Sequence, residues 1–254
     1  MKLIVLGSGT AVPHPKRSSP GFWLETASGT ILLDFGPSVA YRMAQEDLDW
    51  PNLDAVWISH FHLDHVGGLA PFLFGIRNAP ETRNRKKPLR IFGPKGLQKL
   101  LENFNAVNSY KLFQQHFPVE FIEVEQREQF EILSHIEAVA LSTPHTDESL
   151  AIHLSEGDKT LVYTSDTGFT ETIAAFAGYV DLLVIESSFV NDKPVQKHLE
   201  LAEAMYLIRK AQPKKALLTH LYSEWDSVDF EEEVRKFSSG REVIQAKDGL
   251  RIEF

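Results

Sequence analysis

Residues 55–68 read Ala55-Val56-Trp57-Ile58-Ser59-His60-Phe61-His62-Leu63-Asp64-His65-Val66-Gly67-Gly68. The run 55–58 is apolar throughout, as suits a strand buried on both faces. It stops at Ser59, and four potential metal ligands follow within six residues. Imidazole is the commonest protein ligand for zinc, and carboxylates suit zinc, manganese and iron. His60 and His62, two apart, both reach one ion when the backbone is extended or looped. Asp64 and His65 come one turn later, where Gly67-Gly68 is expected to let the chain enter a helix, and can face a second ion. The bland reading is a histidine-rich surface loop. With ten histidines in 254 residues, such crowding does not arise readily by chance.

Outward from this segment, short apolar runs alternate with helical patterns. Strands are expected at 3–6, 22–25, 31–34, 55–58, 89–92, 119–124, 137–142, 150–154, 160–164, 182–185 and 216–219. Helices are expected at 38–46, 67–76, 95–103, 170–177, 199–211 and 228–237. In the helix after His198, Leu201, Met205 and Ile208 share one face while Glu200, Glu203 and Lys210 do not, which describes an amphipathic helix laid on a sheet. The simplest architecture is α/β, a four-layer αββα sandwich of two sheets face to face with helices outside. No linker or repeat divides the sequence, so residues 1–254 are read as a single domain.

Composition narrows the chemistry. Hydrophobic residues are 43% and charged residues 24%, enough apolar material for a sizeable core. The absence of cysteine removes disulfides, thiolate nucleophiles and cysteine-based zinc sites, so any metal must be held by His, Asp and Glu. The apolar start 3–6 is too short for a signal-peptide core and runs into Gly7-Ser8-Gly9. It reads as a first strand, and a cytoplasmic location is expected. A net charge of −9 argues against a broad nucleic-acid surface. The local exception is Arg83-Asn84-Arg85-Lys86-Lys87, read either as a solvated loop or as a rim through which Arg83, Arg85, Lys86 and Lys87 attract phosphate or RNA.

The segment His60–His65 resembles the HxHxDH signature of the metallo-β-lactamase superfamily, and the family's other motifs follow in order. Thr143-Pro144-His145 resembles the third ligand motif, Tyr163-Thr164-Ser165-Asp166-Thr167-Gly168 the strand-end aspartate shared by two metals, and Leu218-Thr219-His220 the last histidine ligand. Taken singly, His220 would more often be a satisfied buried histidine and Asp166 a turn residue. All follow apolar strands, where an open α/β sheet places its chemistry. The resemblance implies the metallo-β-lactamase fold and two divalent ions, zinc on ligand chemistry, with manganese or iron as alternatives. It assigns His60, His62 and His145 to one ion, Asp64, His65 and His220 to the other, and shares Asp166.

Two further regions resemble the ribonuclease Z and phosphodiesterase branch. The opening Leu6-Gly7-Ser8-Gly9-Thr10-Ala11-Val12-Pro13, then Arg17, is similar to that branch's first motif. Val184-Ile185-Glu186-Ser187-Ser188-Phe189, followed by Lys197-His198-Leu199-Glu200, is similar to paired motifs in which a glutamate orients a non-ligand histidine near the scissile phosphate. The implied function is two-metal phosphodiester hydrolysis, with a metal-bridging hydroxide as nucleophile, on RNA or on small or cyclic phosphodiesters. Two metals lower the pKa of a bridging water and clamp the phosphoryl oxygens. Asp64 would accept the water's proton, and His198, held by Glu186, would serve the departing alkoxide. The bland reading makes His198 the first residue of an exposed helix and Glu186 a strand-end charge.

The departures are specific. Ile185 stands where a histidine is usual, Leu199-Glu200 replaces the usual Ser-Thr, and residues 66–144 contain no recognisable tRNA-gripping arm. A glyoxalase-II-like thioester or lactone hydrolase would keep the same metals without needing His198 and Glu186. A non-catalytic metal-binding protein on the same scaffold would keep the ligands alone. Nothing marks export, so a β-lactamase reading is not needed. The resemblance also implies a homodimer. His14, His116, His135 and His153 receive no role.

Overall fold

The computed structural model describes residues 1–237 and 240–254. In chain order the elements are β1 (Lys2–Gly7), β2 (Gly21–Glu25), β3 (Thr30–Leu33), α1 (Val39–Gln45), β4 (Ala55–Trp57), α2 (Leu63–Val66), α3 (Leu69–Ile76), β5 (Leu89–Pro94), α4 (Leu97–Asn108), β6 (Val119–Val124), β7 (Gln129–Leu133), β8 (Ile136–Ser142), β9 (Leu150–Glu156), β10 (Lys159–Tyr163), α5 (Glu171–Phe176), β11 (Leu182–Glu186), α6 (Leu201–Ala211), β12 (Lys215–Thr219), α7 (Phe230–Arg235), β13 (Glu242–Gln245) and β14 (Arg251–Glu253). They form two seven-stranded sheets, ordered β14-β1-β2-β3-β4-β5-β6 and β13-β12-β11-β10-β9-β8-β7.

The alternation of side chains along each strand makes the layers. In β1, Leu3 and Val5 point between the sheets, where they join Phe22, Trp57, Ile152, Tyr163 and Val184. Ile4 and Leu6 point the other way and meet Val39 and Met43 of α1 and Leu69 and Leu73 of α3. On the far side, Val162, Leu183 and Leu218 pack against Leu201, Met205 and Ile208 of α6, on the helix face expected from its amphipathic pattern. The αββα sandwich is thus the observed architecture, with one core between the sheets and one under each helical layer. The apolar start of the chain is the interior strand β1, and among the described residues no helix is long and apolar enough to cross a membrane.

Three strands carry no signal in the sequence pattern. β13 and β14 are outer strands of three or four residues, and half or more of each is exposed or only partly buried. β7, at the other margin of the second sheet, has only Ile132 and Leu133 buried. Strands of this kind are held by ladder hydrogen bonds and need no continuous apolar run.

The site owes its position to strand direction. β3, β4 and β5 run parallel in one sheet, and β10, β11 and β12 run parallel in the other. Their exits gather along one edge of the sandwich. There the Leu150 N–H donates to the Ser59 carbonyl at 3.0 Å, and the Leu221 N–H donates to the Ser8 carbonyl at 3.0 Å, so the two sheets are joined across the exits. The Gly7-Ser8-Gly9 turn therefore abuts the residue after His220.

The paired glycines act differently from the expectation. Gly67 and Gly68 have ordinary helical φ values of −64° and −82°, and the helical turn α2 begins before them, at Leu63. What Gly68 supplies is space: a Cβ there would lie 2.3 Å from the Gly36 carbonyl oxygen. The missing side chain lets α2 settle onto the loop after β3.

Candidate metal centre

Each predicted ligand lies at a strand exit or in the helical turn that follows one. His60 and His62 follow β4, Asp64 and His65 lie in α2, His145 follows β8, Asp166 follows β10 and His220 follows β12. Asp34, Ser165 and His220, each just beyond a strand, have φ values of 59°, 53° and 58°. Left-handed backbone is uncommon for residues other than glycine and costs about 1–3 kcal/mol where the surroundings enforce it. These turns aim side chains inward across the gap between the sheets.

The potential ligand atoms form three overlapping groups, His60, His62, His145 and Asp166 in one, Asp64, His65 and His220 in another, and Asp166, His198 and His220 in a third, each with its atoms within 4.8 Å of one another. Asp166 is common to the first and the third. Its Oδ1 lies 3.3 Å from His65 Nε2, while its Oδ2 lies 3.4 Å from His220 Nε2, 3.6 Å from His145 Nε2 and 3.8 Å from His60 Nε2.

The hydrogen bonds behind the rings decide which nitrogens face this space. His145 Nδ1 lies 2.9 Å from the Lys197 carbonyl oxygen, which can only accept, so Nδ1 carries the hydrogen and Nε2 turns inward. His65 Nδ1 donates to Asp34 Oδ2 at 2.7 Å. His60 Nδ1 lies 3.0 Å from Ser59 Oγ, which spends its own hydrogen on Asp34 Oδ2 at 2.8 Å and so accepts from the ring. His62 is the exception: its Nδ1 faces His145 Nε2 at 3.0 Å.

Three of the inward atoms lack protein partners. His60 Nε2, His65 Nε2 and Asp166 Oδ1 are buried and make no hydrogen bond. Buried polar atoms are almost always paired, so three such atoms converging on one space mark a site built for a group other than protein. Nitrogen and carboxylate donors in this set suit a divalent metal. The charges agree. Burial would raise the Asp166 carboxyl, but His220, His65 and His60 hold it well below the carboxylate range. Burial lowers His60 well below the ordinary imidazole value, with the neighbouring His65 charge adding to it. Burial opposes charge on His65 as well, yet Asp166 and Asp34 on either side keep it well above that value.

Glu186 ends β11, is 1% exposed, and accepts from four donors. Thr167 N–H (2.6 Å) and His198 Nδ1 (3.0 Å) reach Oε1, and Ser188 Oγ (2.6 Å) and Leu199 N–H (3.1 Å) reach Oε2. His198 therefore presents Nε2 outward from the carboxylate. Its ring stacks on His220 with centroids 5.2 Å apart and planes 15° apart. His198 Nδ1 comes within 4.0 Å of Asp166 Oδ2, but that nitrogen is the one Glu186 holds. Burial would lower its pKa, and the Glu186 bond and charge reverse this and raise it. Lys193, not singled out in the sequence, donates to the His198 carbonyl at 3.0 Å and to both Glu203 oxygens at 2.7 and 2.6 Å, which fixes the loop carrying the ring.

A family model described as Beta-lactamase superfamily domain matches residues 30–221, the span from β3 to just past His220. The chain belongs to that superfamily. A ribonuclease Z of Shouchella clausii is 26% identical over 283 positions, covering 89% of this chain and 88% of that protein. Among solved structures, the metallo-β-lactamase fold protein YhfI of Bacillus subtilis matches with a TM-score of 0.80 at 24% identity, covering 99% of each chain. Human tRNase Z, short form, matches with a TM-score of 0.79 at 20% identity, covering 100% of this chain and 99% of that one.

Asp34 is a further site residue that the sequence pattern does not reveal. It accepts Ser59 N–H at 2.7 Å and Ser59 Oγ at 2.8 Å, His65 Nδ1 at 2.7 Å and Tyr163 Oη at 2.6 Å. Its signal was a lone carboxylate closing the apolar run 31–33. Asp34→Asn puts an NH2 before hydroxyl and imidazole donors, and should destabilise the metal-free protein by roughly 2–3 kcal/mol. Urea unfolding at constant m-value measures this, and a loss below half a kcal/mol would remove Asp34 from the scaffold.

The Arg83–Lys87 reading needs correction. Arg85 is 7% exposed and donates to the carbonyls of Lys87 (3.0 Å), Pro51 (2.7 Å), Leu53 (2.7 Å) and Pro88 (2.8 Å), while its guanidinium lies over Phe117 at 4.6 Å. Lys87 pairs with Asp54 at 2.7 Å. Among the described residues, only Arg83 and Lys86 of the four are exposed with no side-chain hydrogen bond or ion pair. The cluster precedes β5, whose start lies beside the start of β4 with Ala55 opposite Arg90. The ligands follow the end of β4, so the cluster sits at the opposite end of the strands. Arg85→Met should cost roughly 2–3 kcal/mol by orphaning those carbonyls. Filter-binding with a short RNA should show no change, and a lost RNA affinity without lost stability would restore the interface.

Proposed function

We propose that this chain is a two-metal phosphodiesterase of the ribonuclease Z and phosphodiesterase branch. His60, His62 and His145 would hold one ion and Asp64, His65 and His220 the other, with Asp166 shared. Zinc suits this donor set, and manganese or iron are the alternatives. The observation that carries the phosphodiester reading is His198: a ring whose Nδ1 is held by Glu186 at 3.0 Å, stacked on a ligand histidine, with Nε2 directed away from the carboxylate. Relatives named ribonuclease Z support it.

Two divalent ions held in such a cradle would supply Lewis-acid stabilisation of phosphoryl charge and a water of lowered pKa. The protein's own residues do the remainder. Asp64, whose carboxyl is kept below its ordinary value against burial by His220 and His65, stays ionised and would take up the water's proton only as the hydroxide forms. His198 delivers a proton from Nε2 to the leaving oxygen, and Glu186 holds the Nδ1 hydrogen and stabilises the imidazolium. Lys193 and Glu203 keep the His198 loop from drifting.

We infer that the substrate is a small or cyclic phosphodiester. The support is the net charge of −9, the absence of an arm in residues 66–144, and the placement of the one basic cluster at the far end of the strands. The test compares kcat/KM on a dinucleotide, a cyclic nucleotide and a precursor tRNA between 50 and 200 mM salt, conditions over which a multi-phosphate contact loses orders of magnitude in affinity. Turnover of the small diesters with little salt dependence is expected. Efficient, steeply salt-dependent cleavage of the precursor tRNA would overturn the substrate assignment.

A further inference from the structure

Ser188 is buried completely beneath the site, one residue from Ser187 and two from Glu186. Its hydroxyl lies 2.6 Å from Glu186 Oε2 and 2.9 Å from His220 Nδ1. A hydroxyl has one hydrogen, and the carboxylate, already accepting from Leu199 N–H on the same oxygen, offers only lone pairs. Ser188 must therefore donate to Glu186 and accept from His220. That places the hydrogen of His220 on Nδ1 and leaves Nε2, the atom 3.4 Å from both Asp64 Oδ2 and Asp166 Oδ2, as the lone-pair donor. The Ser188 carbonyl also accepts from Tyr222 N–H at 3.2 Å, and Ser187 N–H donates to the Thr219 carbonyl at 2.9 Å, so backbone bonds hold this turn against the one bearing His220.

We infer that Ser188 is a positioning residue that sets the tautomer and ring orientation of His220, and through it the affinity for the ion held with Asp64 and His65. This rests on the two-metal reading above. One carboxylate, Glu186, then orients two histidines, His198 directly and His220 through the serine. Ser188 reaches the other ligands of that ion only through His220: His65 is set by Asp34, and Asp64, placed by α2, meets His220 Nε2 at 3.4 Å.

Partners behind ligand histidines are typically worth about 10–100-fold in metal affinity. Zinc-loaded wild type, Ser188→Ala and Ser188→Thr would be titrated with a chromogenic chelator, following the two ions separately, with melting temperature recorded alongside. Ser188→Ala is expected to release one ion about 10–100-fold more readily and to hold the other within about threefold. Ser188→Thr, which keeps the hydroxyl, should recover the wild-type pattern. Unchanged retention of both ions in Ser188→Ala, or equal loss of both together with a lowered melting temperature, would overturn the assignment. A wild type that binds a single ion would instead contradict the two-metal reading, before any substitution is compared. Should Ser188→Ala not fold, long-range nitrogen–proton correlations on histidine-labelled, zinc-stripped wild type decide. A hydrogen on His220 Nδ1 is required, and a hydrogen on Nε2 refutes the role.

Discussion

Replacing Asp166 by asparagine is expected to lower phosphodiester turnover at least about a thousandfold and to reduce bound metal from two ions to one or none. One carboxylate addresses both ligand groups, with Oδ1 3.3 Å from His65 Nε2 and Oδ2 3.4 to 3.8 Å from the Nε2 atoms of His220, His145 and His60. Asparagine keeps the shape, removes the charge, and turns one acceptor into a donor facing ring nitrogens. A metal site contributes several kcal/mol of transition-state stabilisation, and each 1.36 kcal/mol is tenfold in rate, so losing about 4 kcal/mol gives the stated factor. The backbone role of residue 166 survives, because Thr143 Oγ1 donates to its carbonyl at 2.9 Å. Metal analysis after gel filtration, with turnover of bis(p-nitrophenyl) phosphate, checks both parts. A variant with two ions and a tenth of the activity would contradict the shared role.

His198→Ala should behave differently: both ions stay, and the rate falls according to the leaving group. None of the seven proposed ligand residues hydrogen-bonds to the His198 ring, whose partners are Glu186 and, at 3.4 Å, Ser188. General-acid assistance is worth about 10²–10⁴-fold when the departing oxygen is a poor leaving group. An alkoxide needs the proton and p-nitrophenolate hardly does, so the loss should be about 10²–10⁴-fold on a dinucleotide and about tenfold or less on bis(p-nitrophenyl) phosphate. KM should change little. Equal losses on both substrates would place His198 among the groups that shape the site, and no loss on either would remove its catalytic role.

The sequence displayed the part of the site that is local in the chain. His60, His62, Asp64 and His65 sit within six residues, and His145, Asp166 and His220 each close an apolar run, so spacing and strand ends announce them. Asp34 and Ser188 lie behind ligands contributed by other segments, and their roles exist only once β3, β4 and β10, or β11 and β12, have come together. Lys193 was invisible for the same reason, since its partner Glu203 is on α6. Arg85 misled because a run of cations reads as solvated surface, whereas four backbone carbonyls and Phe117 draw this one inward. Of the fold, the buried central strands declared themselves by composition. The short outer strands β13 and β14 are defined by their ladder partners, which local pattern does not encode.

The bond that the site breaks separates a phosphodiesterase from a thioesterase on the same metal cradle. Zinc-loaded wild type, with two ions per chain verified, would be assayed for kcat/KM on a panel of phosphodiesters beside a panel of thioesters under the same conditions. The Glu186–His198 pair predicts that phosphodiesters are turned over and that thioesters lag by orders of magnitude. Brisk thioester hydrolysis with no phosphodiesterase rate would leave the fold and the metal cradle in place and contradict the function assigned to them.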